Sequence, residues 1–303
     1  MRVLVTGGNG YLGRAVVDQL AAAGHEPVAM VRDPDPVRRA NTRVADLLDS
    51  AAVQAVLYGI DAVCHLAART RARESIVDPL SYFQVNTTGT VILLEAMAAH
   101  RVSRLVFAST GAIYGTPDRQ PMTEDLPDLP PHPYAASKLA AEFAVQAQAR
   151  AGALSATILR FMNIVGGDDR DPTRLIPRTI AAAQGRGTLE INGDGSAMRD
   201  YLHVSDAARA ILASVEDPPP RGESVRYVVG SGCGTSIAEV VAAVERRTGR
   251  PVPVRHGPTA PEPPELVSDP TRIMAELGWR PACSDIDTIV SDSWRHARAT
   301  TEP

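Results

Sequence analysis

The chain has only three cysteines, Cys64, Cys233 and Cys283, widely spaced and without a CxxC pair. That excludes a disulfide framework and a cysteine-built zinc site, and leaves thiols suited to a reducing compartment. Its seven histidines show no HExxH or comparable ligand spacing, so no metal is expected. No stretch approaches the ~20 apolar residues of a membrane span. No long basic run occurs, and a net charge of −4 provides no electrostatic footprint for nucleic acid. The opening MRVLVTGG enters a strand at once, which leaves no room for a signal peptide and makes the cytoplasm the expected location. What the chain does have is bulk. With 303 residues, 44% of them hydrophobic, it can bury a sizeable core in one large domain or two sharing a cleft.

Strand and helix signals alternate from the first residues. RVLVT, PVAMV, DAVCHLA, RLVFAS and SATILR are short apolar runs, separated by helical segments such as YLGRAVVDQLAAAG, TVILLEAMAAH and AASKLAAEFAVQAQARAG. Apolar strands without alternation, each followed by a helix, predict a parallel sheet covered on both faces. The expected fold is therefore α/β, a Rossmann-type doubly wound sheet over residues 1–165, with 201–216 returning to it. Beyond Asn163 the chain turns richer in Gly, Pro and charge, with prolines at 218–220 and again over 258–264. Residues 166–303 are expected to form mainly a smaller, loop-rich substrate-binding domain. Helices are expected at SIAEVVAAVERRTG and DIDTIVSDSWRHAR, and NGDG would suit a hairpin turn.

GGNGYLG, residues 7–13, lies between the first strand and the first helix, the context a dinucleotide loop requires. Gly7 and Gly8 permit a sharp turn, Gly10 lets backbone approach a pyrophosphate, and Gly13 allows close helix–strand packing. The helix N-terminus then offers free N–H groups to the anion. The nucleotide's identity turns on the end of the second strand, MVRDP. Val31 stands where an acid would bind the ribose hydroxyls of NAD. Arg32 offers a planar fork to the 2′-phosphate of NADP, or is a solvated charge paired with Asp33. Asp46 either reaches the adenine edge or caps a helix.

FASTGAIYG, residues 107–115, ends a strand with Ser109 and Thr110 and follows them with nothing acidic. Downstream, PPHPYAASK places Tyr134 and Lys138 four residues apart, on one face of a helix. A free tyrosine is a poor base at neutral pH, and a neighbouring ammonium favours its phenolate.

With these motifs the chain resembles the extended short-chain dehydrogenase/reductase superfamily, and within it the UDP-galactose 4-epimerase-like nucleotide-sugar enzymes. VLVTGGNGYLG, HLAA, ASTGAIYG, YAASK, LRFMNIVG, NGDGSAMRDYLHVSDAARA and SDPTRIMAELGWRP carry the resemblance over nearly the whole length. It implies Thr110 as the catalytic hydroxyl, Tyr134 as the base and Lys138 as the residue that tunes it and holds the nicotinamide ribose. It implies cofactor contacts from Gly7, Gly10, Tyr11, Leu12, Gly13, Arg32, Asp46, Leu47, Leu66, Ala67, Ala68 and Asn86. Asn163, Leu175 and Arg199 occupy positions that contact the sugar or its diphosphate, although Arg199 beside Asp200 also suits a structural ion pair. The resemblance further implies NAD as cofactor, against the NADP that Arg32 favours, and a homodimer through helices around 80–99 and 134–151. One element is missing. Where relatives carry RxGD before the last signature, this chain has TAPEPPEL, with Glu262 near the aspartate's place, so a diphosphate arginine would come from elsewhere, such as Arg174 or Arg255.

Gly111 and Ala112 narrow the reaction. Dehydratases of this family place an acid–base pair after the hydroxyl residue, because eliminating water moves two more protons. A site with hydroxyls and a tyrosine but no local carboxylate can move a hydride and its coupled proton. The expectation is an NDP-sugar epimerase acting at C4 through a transient 4-keto sugar. An NADPH-dependent reductase of a keto sugar or other small carbonyl is the alternative, and a non-catalytic dinucleotide-binding protein a third.

Overall fold

The structure, a computed structural model, describes residues 1–33, 41–259 and 263–299. Its first strands are β1 (Arg2–Thr6), β2 (Glu26–Val31), β3 (Asn41–Val44), β4 (Ala62–His65), β5 (Arg104–Thr110) and β6 (Ser155–Phe161). Then come β7 (Asn163–Val165), β8 (Leu189–Asn192), β9 (Met198–His203), β10 (Ser224–Val229), β11 (Gly234–Ser236), β12 (Val254–Gly257) and β13 (Glu265–Leu266). The helices of the first half are α1 (Tyr11–Ala22), α2 (Ser50–Val56), α3 (Ala72–Val77), α4 (Pro79–Tyr82), α5 (Gly89–Ala99) and α6 (Pro133–Arg150). Those of the second are α7 (Leu175–Ala183), α8 (Val204–Glu216), α9 (Ile237–Thr248), α10 (Thr271–Leu277) and α11 (Ile286–Ala299).

Seven parallel strands form the main sheet in the order β10-β6-β5-β4-β1-β2-β3. Its central strands read as continuous apolar runs because both faces are covered. One face packs with α2, α5 and α6 around Leu4, Phe107 and Ile158, and the other with α1 and α8 around Val5, Leu159 and Ile211. The order reverses between β1 and β4, and this switch point opens a crevice at the strands' carboxyl ends. Thr6 and His65, register partners, end β1 and β4 at this point. Two strands escape the pattern of continuous apolar runs because they are the sheet's edges: NTRV, exposed at both ends and half-exposed between, and SVRYVV, half-exposed over its first three residues.

The second half builds around a smaller sheet in which β11, β13 and β7 all pair with β9. A third core gathers Ile176, Ile180, Val240, Val244 and Ile289 from α7, α9 and α11. Capping sets these helices: Ser236 and Glu239 close a capping box on α9, and Gly249 ends it at φ +65°. NGDG is not a hairpin. β8 pairs in parallel with β12, while β9 joins the other sheet, and Asp194 instead turns the chain by accepting from the Ser196 N–H at 2.9 Å. Among the described residues, no helix is long and apolar enough to cross a membrane.

Candidate active site

The glycine loop leaves β1 through Gly7, whose φ of +67° is costly for any side chain bearing a Cβ. It enters α1 with no side-chain cap and no acidic residue in the first turn. A Cβ on Gly13 would stand 2.1 Å from the Gly7 carbonyl oxygen, so the helix starts against the loop itself. An uncapped, acid-free helix start at the mouth of the crevice fits a pyrophosphate. Tyr11 turns its hydroxyl away from this seat to donate to the Gly166 carbonyl at 2.5 Å.

The opposite wall is built by a chain of hydrogen bonds that the sequence motifs do not single out. Thr6 Oγ1 accepts from the Leu66 and Ala67 N–H groups, each at 3.0 Å, which leaves its proton for His65 Nδ1 at 2.8 Å. His65 Nε2 then donates to Thr90 Oγ1 at 3.0 Å, and Thr90 donates to the Asn86 carbonyl at 2.6 Å. Burial, with help from Lys138, pushes His65 down to about 3, so the ring is neutral, as this chain of donors requires. The Asn86 amide is committed within the protein, bonding the Arg69 backbone on both sides and Ser137 Oγ at 2.9 Å. Ser137 lies between Tyr134 and Lys138, so Asn86 joins the cofactor wall to the catalytic helix. Leu47 is buried against Gly89, where a Cβ would meet it at 2.6 Å. Ala68 is half-buried in the same wall. Asp46 does not cap α2; that role falls to Asp49, while Asp46 accepts from the Leu48 N–H at 2.8 Å. The Arg32 side chain is 77% exposed and lies 3.4 Å from Asp33.

β5 and α6 bring the reacting groups together. Pro133 opens α6 with its φ already helical, and the His132 ring accepts from the Ala135 N–H at 3.2 Å. Tyr134 is half-buried there, its ring stacked on His132 at 5.8 Å. Burial raises its phenol above the ordinary value, while a hydrogen bond with Thr110 and the charge of Arg174 pull it down. The ammonium of Lys138 takes a different direction from the one the sequence suggests. It sits 4.0 Å from the Phe107 ring centre, 3% exposed, and burial lowers its amine from 10.5 to about 7. One face of a helix is shared, but the long side chain turns under β5. Gly111 is packed against a methionine: a Cβ there would lie 2.7 Å from Met162 Sδ, so the Met162 side chain would have to shift to admit one.

A buried ammonium costs the fold something. Lys138→Met is expected to abolish turnover yet stabilise the ligand-free protein by about 1–4 kcal/mol at and below neutral pH. Its folded value lies below its unfolded one, so the unfolded chain holds the extra proton between about 7 and 10.5. Wild-type stability therefore rises with pH through that window, and the variant's advantage fades across it. Thermal denaturation of both proteins at several pH values measures this; a Met variant no more stable at neutral pH would refute it.

On the substrate side, Asn163 Nδ2 donates to the Asp200 carbonyl at 3.2 Å, and Leu175 begins α7. The Arg199 guanidinium reaches the carbonyls of Met198 at 2.8 Å and Pro263 at 2.9 Å. Of the two substitutes for the missing arginine, Arg255 is 71% exposed and paired with Glu190, far from these groups in character. Arg174 lies 5.4 Å from the Tyr11 ring, paired with Asp169 at 3.4 Å, and its charge reaches Tyr134. Glu262 lies outside the described residues.

Comparison with known proteins agrees with this geometry. A profile of the NAD dependent epimerase/dehydratase family matches residues 3–230. A UDP-glucose 4-epimerase of Corynebacterium glutamicum is 36% identical, over 99% of this chain and 96% of its own. The crystal structure of UDP-glucose 4-epimerase from Brucella ovis in complex with NAD superposes with a TM-score of 0.93 at 36% identity, covering 97% of this chain and 98% of that one. That of Stenotrophomonas maltophila, with bound NAD and formylated UDP-arabinopyranose, gives 0.93 at 30% identity, covering 99% of each.

Proposed function

The chain belongs to the NAD dependent epimerase/dehydratase family, and from that premise we propose that it interconverts the C4 epimers of a UDP-hexose. One observation carries the reading: Thr110 lies beside the Tyr134 phenol within the field of Arg174, while Gly111 and Ala112 follow Thr110 with no acid–base side chain. Tyr134 takes the proton of the 4-hydroxyl and later returns it, with Thr110 beside the phenol as the second hydroxyl of the site. Arg174 supplies positive charge at the phenol, and Lys138 would hold the nicotinamide ribose. The 4-keto sugar turns over between the two proton transfers and presents its other face. Gly7, Gly10, Tyr11, Leu12 and Gly13 would hold the dinucleotide's pyrophosphate, and Leu66, Ala67 and Ala68 the wall beside its nicotinamide. NAD, when bound, supplies the hydride acceptor and donor that such a reaction needs. Asn163, Leu175, Arg199 and Arg174 would line the sugar-nucleotide side, in the half of the chain from 166 to 303.

NAD is preferred over NADP because it is the cofactor named with the Brucella ovis and Stenotrophomonas maltophila enzymes, and because Arg32 is a solvated charge beside Asp33. With that, the reductase reading loses its main support. A homodimer is supported by exposed apolar side chains, among them Val77, Leu80, Phe83, Val91 and Phe143, on and between α3, α4, α5 and α6. Unpaired thiols at all three cysteines suit the cytoplasm.

The test is direct. Mass spectrometry of ligands released from the purified protein should show NAD, and UDP-glucose followed by NMR should yield UDP-galactose with no net reduced cofactor formed. Stoichiometric consumption of NADPH, or no interconversion of any UDP-sugar, would overturn the reading.

A further inference from the structure

Behind the reacting groups lies an ion network that the proposed mechanism does not use. Glu142, one turn beyond Lys138 on α6, is fully buried. The Arg160 guanidinium, also fully buried on β6, grips it in a fork, Nε to Oε1 at 3.0 Å and Nη2 to Oε2 at 2.7 Å. Arg160 Nη1 reaches on to Asp128 at 2.6 Å, and its guanidinium lies 4.7 Å from the Tyr114 ring centre. Arg226 of β10 approaches Glu142 Oε2 at 3.7 Å. On the other side, Ser109 donates its hydroxyl to Glu142 Oε1. Ser109 is the residue before Thr110, so one carboxylate ties the end of β5 to α6 between Thr110 and Lys138.

A buried pair of this kind is a poor source of stability, since desolvation offsets most of the attraction. Its placement suits another purpose. We propose that Glu142 is a positioning residue for Thr110, Tyr134 and Lys138, clamping α6 onto the end of β5 and setting the charge environment of the Lys138 ammonium. Lys138 is faced by His65 from β4, the Phe107 ring from β5 and Glu142 from its own helix; Arg160, Asp128 and Arg226 stand behind Glu142. His65 is neutral, and Glu142 is the group whose charge favours the ammonium against burial. This inference rests on the epimerase reading only for its kinetic consequence.

Lys138 is the only lysine in the chain, which lets the experiment observe it alone. With ¹³C-lysine incorporated and NAD added, one side-chain signal reports the titration of this amine. In Glu142→Gln/Arg160→Met, which removes both partners and leaves no unpaired buried guanidinium, the midpoint should fall by about one pH unit. Glu142→Asp should restore most of it. On UDP-glucose, kcat should drop about ten- to a hundredfold with KM within about twofold, and the alkaline limb of the rate profile should move down with the NMR midpoint. A folded double variant that titrates as wild type does would overturn the proposal. Should the double variant fail to fold, Ser109→Ala, which cuts only the tie between Glu142 and the end of β5, decides: wild-type kcat refutes the clamp, whereas a reduced kcat with KM within about twofold supports it. If wild type converts no UDP-sugar, the epimerase reading falls while the lysine titration still judges Glu142.

Discussion

Tyr134→Phe should lose about 10²–10⁴-fold in turnover while melting close to wild type and still binding NAD. The ring would keep its stacking on His132 and its edge contact with Tyr82 at 6.4 Å. Only a hydroxyl is removed, and with it the group that exchanges the substrate's proton. The free protein holds that phenol above its ordinary value through burial, so the base is not primed before ligands arrive. Positive charge brought into the crevice, together with Arg174, favours the phenolate at the moment of use. Turnover within about threefold of wild type would remove Tyr134 from this role.

This example marks where the sequence is informative and where it stops. The alternation of apolar runs and helices was enough to specify the parallel sheet, because continuous runs such as VLVT and SATILRF make sense only between two covered faces. The glycine loop and the YAASK helix start were equally readable, since Gly and Pro act on local backbone geometry. Side-chain direction was not. The four-residue spacing of Tyr134 and Lys138 suggests an ammonium beside the phenol, yet the structure turns Lys138 beneath Phe107 and gives the nearby charge to Arg174. Arg174 reaches the site because β7 and the start of α7 fold back toward Tyr11, a long-range placement with no local signal. The Thr6–His65–Thr90 chain and the Glu142–Arg160 pair were unreadable for the same reason. Each joins residues far apart in sequence, and each member alone is an ordinary strand or helix residue. Arg32 is ambiguous by residue type alone: its planar fork suits a phosphate, and it stands exposed beside Asp33, as a solvated charge also would.

Gly13→Ala should cripple cofactor binding more than any other single-methyl change in the protein. The added Cβ would stand 2.1 Å from the Gly7 oxygen and 2.9 Å from Gly7 C and Gly8 Cα, all backbone atoms that cannot rotate away. Either α1 slides outward from the sheet or the loop opens, and both displace the N–H groups aimed at the pyrophosphate. A loss of NAD affinity of about a hundredfold, near 3 kcal/mol, is expected. Overpacking against α1 should also cost the fold about 1–3 kcal/mol. Gly24→Ala is the control. Gly24 has φ +81° but open space around its Cβ position, so the change should cost about 1–2 kcal/mol in backbone strain and leave NAD affinity untouched. Calorimetric titration of NAD into both variants, stripped of bound nucleotide, separates the two effects. If Gly13→Ala binds NAD as tightly as Gly24→Ala does, the helix start at residues 10–13 is not the pyrophosphate seat, because a loop forced open there could not hold it.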